Sequence, residues 1–235
     1  MFRHARKTVL AQIAEAASRA GRSPADVLLV AVSKAVDAER VRAAAAAGLT
    51  ELGENRVQEA AGKIPEVGGG RWHLLGPLQA NKARRAVELF DVVQSVGSLD
   101  LARRLDRIVG EVRPGRPLPV LLQVNVAGDP AKSGFDEASI ATDLAALAAL
   151  PNLRLGGLMT IGRLVPTAEE ARPTFRALRE LAERLRATEP RLGAALSMGM
   201  SDDFGVAVEE GATIVRVGRA LFGERLRPVA PDAEA

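Results

Sequence analysis

The chain has no cysteine and no tyrosine, and its only histidines are His4 and His73. Without cysteine there is no disulfide, no thiol nucleophile and no thiolate metal ligand, a composition that fits a reducing compartment. Two imidazoles exclude a multi-histidine metal centre built from one copy of the chain. The missing tyrosine removes one of the common general acids. Aromatic residues make up only 3% of the 235 residues, so stacking platforms for single-stranded nucleic acid are nearly absent. Charge of one sign is not gathered into blocks either. The net charge is +3 and the pI about 9.8, but acids and bases interleave along the chain and form no basic arm, so no nucleic-acid partner is expected. Any chemistry must come from lysine, arginine, carboxylates, hydroxyls and the backbone.

Long apolar runs are missing as well. No stretch approaches the roughly 18 residues that would span a bilayer, so no membrane partner is expected. Arg3, Arg6 and Lys7 precede Thr8-Val9-Leu10-Ala11, and Ala14-Glu15-Ala16 superficially resembles a cleavage site, but Gln12 and Glu15 break the run before signal-peptide length. Val9, Ile13 and Ala17 recur at helical spacing and predict an amphipathic leading helix. A soluble, cytoplasmic protein is the expectation.

What is present is apolar and regularly punctuated. Hydrophobic residues are 47% of the chain, enough for one large α/β core. A β-branched run, Val27 to Ser33, ends at Lys34. Further strand candidates are Thr50 to Gly53, His73 to Gly76, Asp91 to Ser95, Pro119 to Asn125, Leu155 to Thr160, Ala195 to Ser197 and Ile214 to Val217. Helical patterns lie at Glu39 to Ala47 and Arg56 to Ile64, and as stripes at Leu101/Leu105/Ile108, Ile140/Leu144/Leu147 and Phe175/Leu178/Leu181/Leu185. Asp100, Asp136 and Thr167 are helix-start signals, and Pro151 and Pro190 are stops. Strand and helix alternating without a long break predicts parallel β/α winding in one domain. About eight strands, with no Gly-x-Gly-x-x-Gly after the first, favour a single closed (β/α)8 TIM-type barrel with an extra N-terminal helix over an open doubly wound sheet. The barrel is expected to span 1–226, with 227–235 as a flexible C-terminal tail.

Barrel enzymes keep their chemistry at the carboxyl ends of their strands. Read there, this chain gives Lys34, Glu54-Asn55, Gly76 to Gln79, Gln94-Ser95, Asn125, Thr160, Ser197 to Ser201, and Arg216 with Gly218. Loops are polar in any protein, which accounts for part of this pattern. Lys34 can be a solvated charge, a phosphate ligand or a Schiff-base amine. Gly199-Met200-Ser201-Asp202-Asp203 and Gly218-Arg219-Ala220 each lead into a helix after the last two strands, where barrels commonly bind phosphate. The plainer alternative is two glycine turns and a helix cap by Ser201. Arg216 lies inside an apolar strand, where a charge needs a partner. It either faces a bound ring, hydrogen-bonding a ring nitrogen without giving up its proton, or forms a salt bridge with Glu51, Asp91 or another strand-end acid.

Several long motifs, in order, carry a family resemblance. Ala31-Val32-Ser33-Lys34, Gly53-Glu54-Asn55-Arg56-Val57-Gln58-Glu59, Trp72 to Lys82, Gly157 to Gly162, Leu196 to Asp203 and Val215-Arg216-Val217-Gly218 closely resemble the pyridoxal phosphate homeostasis proteins, relatives of the alanine racemase barrel domain. The resemblance runs from about Val27 to Gly223. It implies that Lys34 holds pyridoxal phosphate covalently as a Schiff base and that Arg216 faces the pyridine nitrogen. It further implies that Ser201, Gly218 and Arg219 bind the phosphate, and that Asn55, Ser197 and Met200 line the same mouth. His73, Gln79, Asn81 and Lys82 match a motif but are given no catalytic role.

Two departures are visible. The family's Asn, Glu, Lys and Gly loop is here Asn125, Asp129, Pro130, Lys132 and Gly134, and Arg219 stands where a small hydroxyl residue is common. The function implied is cofactor homeostasis without catalytic turnover, with apo pyridoxal phosphate enzymes as candidate recipients. A racemase of the related fold uses a tyrosine from an additional β domain, and this chain has neither that tyrosine nor residues for that domain. The alternatives are a pyridoxal phosphate-dependent amino-acid racemase or lyase, and a cofactor-free Schiff-base aldolase. Nothing resembles a coiled coil or an interface stripe, so a monomer is expected.

Overall fold

The computed structural model describes residues 1–129, 133–162 and 165–223. The proposed tail at 227–235, the end of the 1–226 barrel assignment, and the loop residues Pro130 and Lys132 lie outside the described residues.

Eight parallel strands close into a barrel in sequence order. They are β1 (Leu28–Val32), β2 (Glu51–Glu54), β3 (Arg71–Leu74), β4 (Val92–Val96), β5 (Leu118–Gln123), β6 (Leu153–Met159), β7 (Ala195–Ser197) and β8 (Ile214–Val217). Closure is made by β1 pairing with β8, from Leu28 opposite Ile214 to Ala31 opposite Val217. The strand candidates match these elements, with ends displaced by one to two residues in most. The TIM-type expectation and the leading helix both hold.

Helices follow each strand: α1 (Phe2–Arg19) precedes the barrel, then come α2 (Ala38–Ala46), α3 (Val57–Val67), α4 (Ala83–Leu89), α5 (Leu99–Val112), α6 (Glu137–Ala148), α7 (Arg172–Thr188), α8 (Phe204–Glu209) and α9 (Arg219–Phe222). Local chemistry sets their starts. Asp37, Ser98 and Asp136 each accept the N–H of the residue three positions on, satisfying one of a helix's unpaired donors. Ser98 therefore caps α5, and Asp100 sits in its first turn, where a carboxylate suits the helix dipole. Thr167 makes no cap bond. Helix α3 runs through Pro65 to Gly68, which adopts φ +70 at its C-cap, beyond the Ile64 end that the apolar pattern predicts.

Helix α4 has no counterpart among the predicted helices. It is short and has no side-chain cap. Its buried face, Ala83, Ala86 and Val87, is too small to give a strong periodic signal.

The period-2 alternation of the strands divides the core in two. Outward residues such as Ala31, Leu74, Val93, Leu122, Leu158, Leu196 and Val215 pack against helix residues including Ile13, Val41, Leu105, Ile140 and Phe175. Inward residues Val30, Val32, Leu75, Leu121, Met159 and Ile214 form a separate apolar cluster inside the barrel. The α1 stripe is buried at Val9, Ile13, Ala16 and Ala17. Phe2 meets Phe222 edge to face at 5.7 Å, a favourable ring geometry that fastens α1 to α9.

Candidate functional site

Lys34 follows β1 at its carboxyl end, and the backbone on both sides of it is tied to α3. Ser33 is fully buried, and its hydroxyl donates to Glu54 Oε1 at 2.6 Å. The Lys63 ammonium donates to the Ser33 carbonyl at 2.7 Å, to Glu54 Oε1 at 2.5 Å and to Glu59 Oε1 at 2.9 Å. On the other side, the Ala35 N–H donates to Glu59 Oε1 at 2.6 Å. Ala35 has φ +59, a left-handed conformation costly for a residue with a Cβ, and the Glu59 bond holds it. Burial pushes the Glu54 carboxyl above its ordinary range, against the Lys63 ammonium and the Ser33 hydroxyl.

Lys34 lines one cleft with Val32, Ala35, Arg40, Gly218, Arg219 and Phe222. Barrel closure brings this about, because β1 and β8 are neighbours. Gly218 and Ser201 also meet: the Gly218 N–H donates to Ser201 Oγ at 3.3 Å. Ser201 is thus not a helix cap; it bridges the last two strand-end turns. The Arg219 side chain pairs with Asp202, leaving its backbone as the part directed by the turn.

Gly199 has φ +89, and a Cβ there would lie 2.6 Å from the Ala207 Cβ. Only glycine fits this turn comfortably. It lets the chain double back so that the Arg216 N–H reaches the Gly199 carbonyl at 3.0 Å. Met200 is 36% exposed at the mouth, and its N–H donates to Asp203 Oδ1 at 2.6 Å. Burial pushes Asp203 upward, opposed first by that N–H.

Arg216 is buried and points into the barrel wall. It donates to Ser197 Oγ at 2.6 Å and to the Thr160 carbonyl at 2.7 Å. Burial pulls its pKa down to about 10, with the Asp203 charge opposing, so it stays protonated at neutral pH. It makes no ion pair with Glu51 or Asp91. Asp91 instead accepts the Trp72 N–H at 2.8 Å, and Glu51 is reached only through Ser197, Gln94 and His73. Of the two alternatives for Arg216, the salt bridge with Glu51 or Asp91 is not made; its partners are the neutral oxygens of Ser197 and Thr160.

Asn55 follows β2 at the same barrel end, half-buried, with its backbone against Gly76. A Cβ on Gly76 would lie 2.2 Å from the Asn55 carbonyl oxygen. In the departed loop, Asn125 Nδ2 donates to the Asp129 carbonyl at 2.8 Å. Among the described residues no group of three or more His, Cys, Asp or Glu could hold a metal ion, and no helix is long and apolar enough to cross a membrane.

The alanine racemase N-terminal domain model matches residues 7–226. A pyridoxal phosphate homeostasis protein of Pseudomonas aeruginosa is 50% identical over 224 residues, covering 92% of this chain and 93% of the relative. The chain belongs to the pyridoxal phosphate homeostasis protein family. The Escherichia coli (strain K12) member is 42% identical over 224 residues, covering 91% of this chain and 92% of that one. Among solved structures, PipY of Synechococcus elongatus PCC7942 with PLP bound superposes with a TM-score of 0.79 at 46% identity, over 90% of this chain and 100% of that chain. An alanine racemase of Clostridium difficile, at 16% identity and a TM-score of 0.66, shares the barrel fold, covering 93% of this chain but 56% of its own.

Two features escaped the sequence. The clamp of Glu54, Glu59 and Lys63 was partly signalled by the i, i+4 spacing of Glu59 and Lys63, but a helical Lys/Glu pair reads as a solvated face. The interior partners of Arg216 were visible only as isolated polar strand residues, and nothing local says that they touch.

Proposed function

We propose that this chain is a pyridoxal phosphate-binding protein of cofactor homeostasis, holding the cofactor as a Schiff base on Lys34. The observation that carries the reading is the single cleft shared by Lys34, Gly218 and Arg219, with the buried cation Arg216 two residues before Gly218 on β8. Bound pyridoxal phosphate supplies an aldehyde and an electron-withdrawing ring. Lys34 must be unprotonated to attack that aldehyde; the C=N bond forms and water leaves. Arg40, Arg219 and Asp37 line the same cleft.

The other residues take supporting parts. Ser201, Gly218 and Arg219 offer a hydroxyl and backbone donors to the phosphate. Arg216, protonated at neutral pH, can donate to a ring nitrogen but not protonate it, which weakens the ring as an electron sink. Asn55 and Met200 stand at the mouth, and Ser197, fully buried, supports Arg216 beneath it. This arrangement holds an aldehyde cofactor and is poorly equipped for racemase turnover, since no tyrosine is present to act opposite the lysine. We place the protein in the cytoplasm as a monomer, handing cofactor to apo enzymes.

Borohydride reduction of the cofactor-loaded protein, followed by peptide mass mapping, tests the reading. The modified lysine is expected to be Lys34, and Lys34→Ala should lose the visible absorbance of the bound chromophore. Label on another lysine would refute the anchor. Sustained amino-acid turnover by wild type, abolished in Lys34→Ala, would favour a racemase or lyase.

A further inference from the structure

A polar chain crosses the apolar interior of the barrel, and the cofactor reading assigns most of it no role. Arg216 Nη1 meets Ser197 Oγ at 2.6 Å, Ser197 Oγ meets Gln94 Oε1 at 2.6 Å, Gln94 Nε2 meets His73 Nδ1 at 2.9 Å, and His73 Nε2 meets Glu51 Oε2 at 2.7 Å. At the opposite end of the strands, Arg71 Nη1 lies 4.0 Å from the same Glu51 oxygen. Ser197 and Gln94 are 0% exposed, His73 1% and Arg216 5%. These are high-stakes burials, because any unmade bond here leaves a desolvated polar group.

The chain can run in only one direction. Guanidinium has donors and no acceptor, so Ser197 accepts from Arg216 and gives its single hydrogen to Gln94. Gln94 must then present its oxygen to Ser197 and its NH₂ to His73. His73 Nδ1 must accept, which places the ring proton on Nε2, facing the Glu51 carboxylate. A flipped Gln94 would face the Ser197 hydroxyl with N–H groups and strand that hydroxyl's hydrogen. Ser197 and His73 can each move their hydrogen, by rotation or by tautomer exchange, but the two ends of Gln94 are fixed in kind, an acceptor oxygen on one side and a donor NH₂ on the other.

We infer that Gln94 is a positioning residue for Arg216: by fixing the direction of this chain it holds His73 as the neutral Nε2–H tautomer and keeps the Arg216 guanidinium aimed along the barrel wall. The consequence for cofactor affinity rests on the reading above; the tautomer and the guanidinium geometry do not.

Both can be read without cofactor. With only two histidines in the chain, and His4 exposed on α1, His4→Gln assigns the His73 signals in long-range ¹H–¹⁵N spectra of the unliganded protein. At pH 7 His73 is expected as the Nε2–H tautomer; an Nδ1–H tautomer or an imidazolium would overturn the inference. The Arg216 Nη protons, assigned with Arg216→Lys, should be resolved in wild type by slow rotation. Gln94→Leu, similar in volume, should average them. Gln94→Glu keeps the acceptor for Ser197 and should keep them resolved, while converting His73 to imidazolium, since a carboxylate there accepts from both neighbours. Unaveraged Arg216 signals in Gln94→Leu would refute the positioning role. Titration with pyridoxal phosphate adds the functional arm: affinity should fall about tenfold in Gln94→Leu and stay within about threefold in Gln94→Glu. Equal loss in both variants would reduce Gln94 to packing. A wild type that fails to bind would instead sink the cofactor reading, with the spectra still deciding the chain.

Discussion

The ammonium of Lys63 donates to the carbonyl oxygen of Ser33 at 2.7 Å, so a buried cation on α3 holds the peptide that leads into Lys34. Its partner Glu54 is fully buried. Losing one member of such a pair leaves an uncompensated charge, whereas losing both does not. Lys63→Met is expected to destabilise the fold by about 3–5 kcal/mol. The double variant Lys63→Met/Glu54→Leu should recover more than half of that loss. Urea unfolding of wild type and the two variants decides it, and a double variant worse than the single would show that the pair is a net stabiliser.

Two glycines six residues apart, Gly199 and Gly205, should respond in opposite directions. Gly199 is left-handed and crowded by Ala207 and Phe204, while Gly205 lies in α8 with nothing within 4 Å of a Cβ. Gly199→Ala should cost about 1–3 kcal/mol through backbone strain and weaken pyridoxal phosphate binding. Gly205→Ala should stabilise by roughly 0.5–1 kcal/mol through helix propensity. Melting curves of both variants, compared with wild type, give the signs directly.

Phe175 is fully buried between α7 and the outer face of the barrel. Phe175→Ala removes a large ring from packed surroundings and is expected to cost about 3–5 kcal/mol. Denaturant midpoints measure it. A cost below about 1 kcal/mol would mean that the helix collapses into the space.

The His73 N–H donates to Glu51 and holds its carboxyl below the ordinary value of 4.5, with burial opposing. The unfolded chain then takes up this proton more readily than the folded one. The stabilisation is fully present above the unfolded value and is lost as pH falls through the folded value. Glu51→Gln should therefore be less stable than wild type at pH 7, and the gap should close as pH falls below about 4. Urea midpoints at pH 7, 5 and 3.5 test this; a gap that stays constant would detach the effect from Glu51 ionisation.

How far the sequence reached depends on the range of each interaction. The β/α alternation and the helix stripes are local patterns, and the barrel follows from them because eight short strand runs alternating with helices have few ways to bury both faces. Lys34, Ser201, Arg216, Gly218 and Arg219 stood out because each breaks its local pattern at a strand end. Asn55 and Met200 were legible as strand-end residues and took a role only through the family motifs, and both follow their strands at the carboxyl end. What stayed hidden was pairing across the barrel. The link from Ser197 to Gln94 joins residues on strands that are not sequence neighbours, and it depends on which strand residues face inward. The β4 register shift between Val93 and Val96 makes that alternation unreadable from sequence. The Ala35 left-handed turn was equally invisible, since alanine gives no hint of positive φ.

Closure of β1 on β8 also sets a schedule for the nascent chain. Lys34 is synthesised early and Gly218 late, so the cleft they share does not exist until nearly all of the described chain has been made. Until then β1 presents an open edge, the kind that other chains can pair with. The Lys34 side chain and the turns beside it are thus joined by the same step that removes the last sheet edge, which ties the existence of their cleft to completion of the fold.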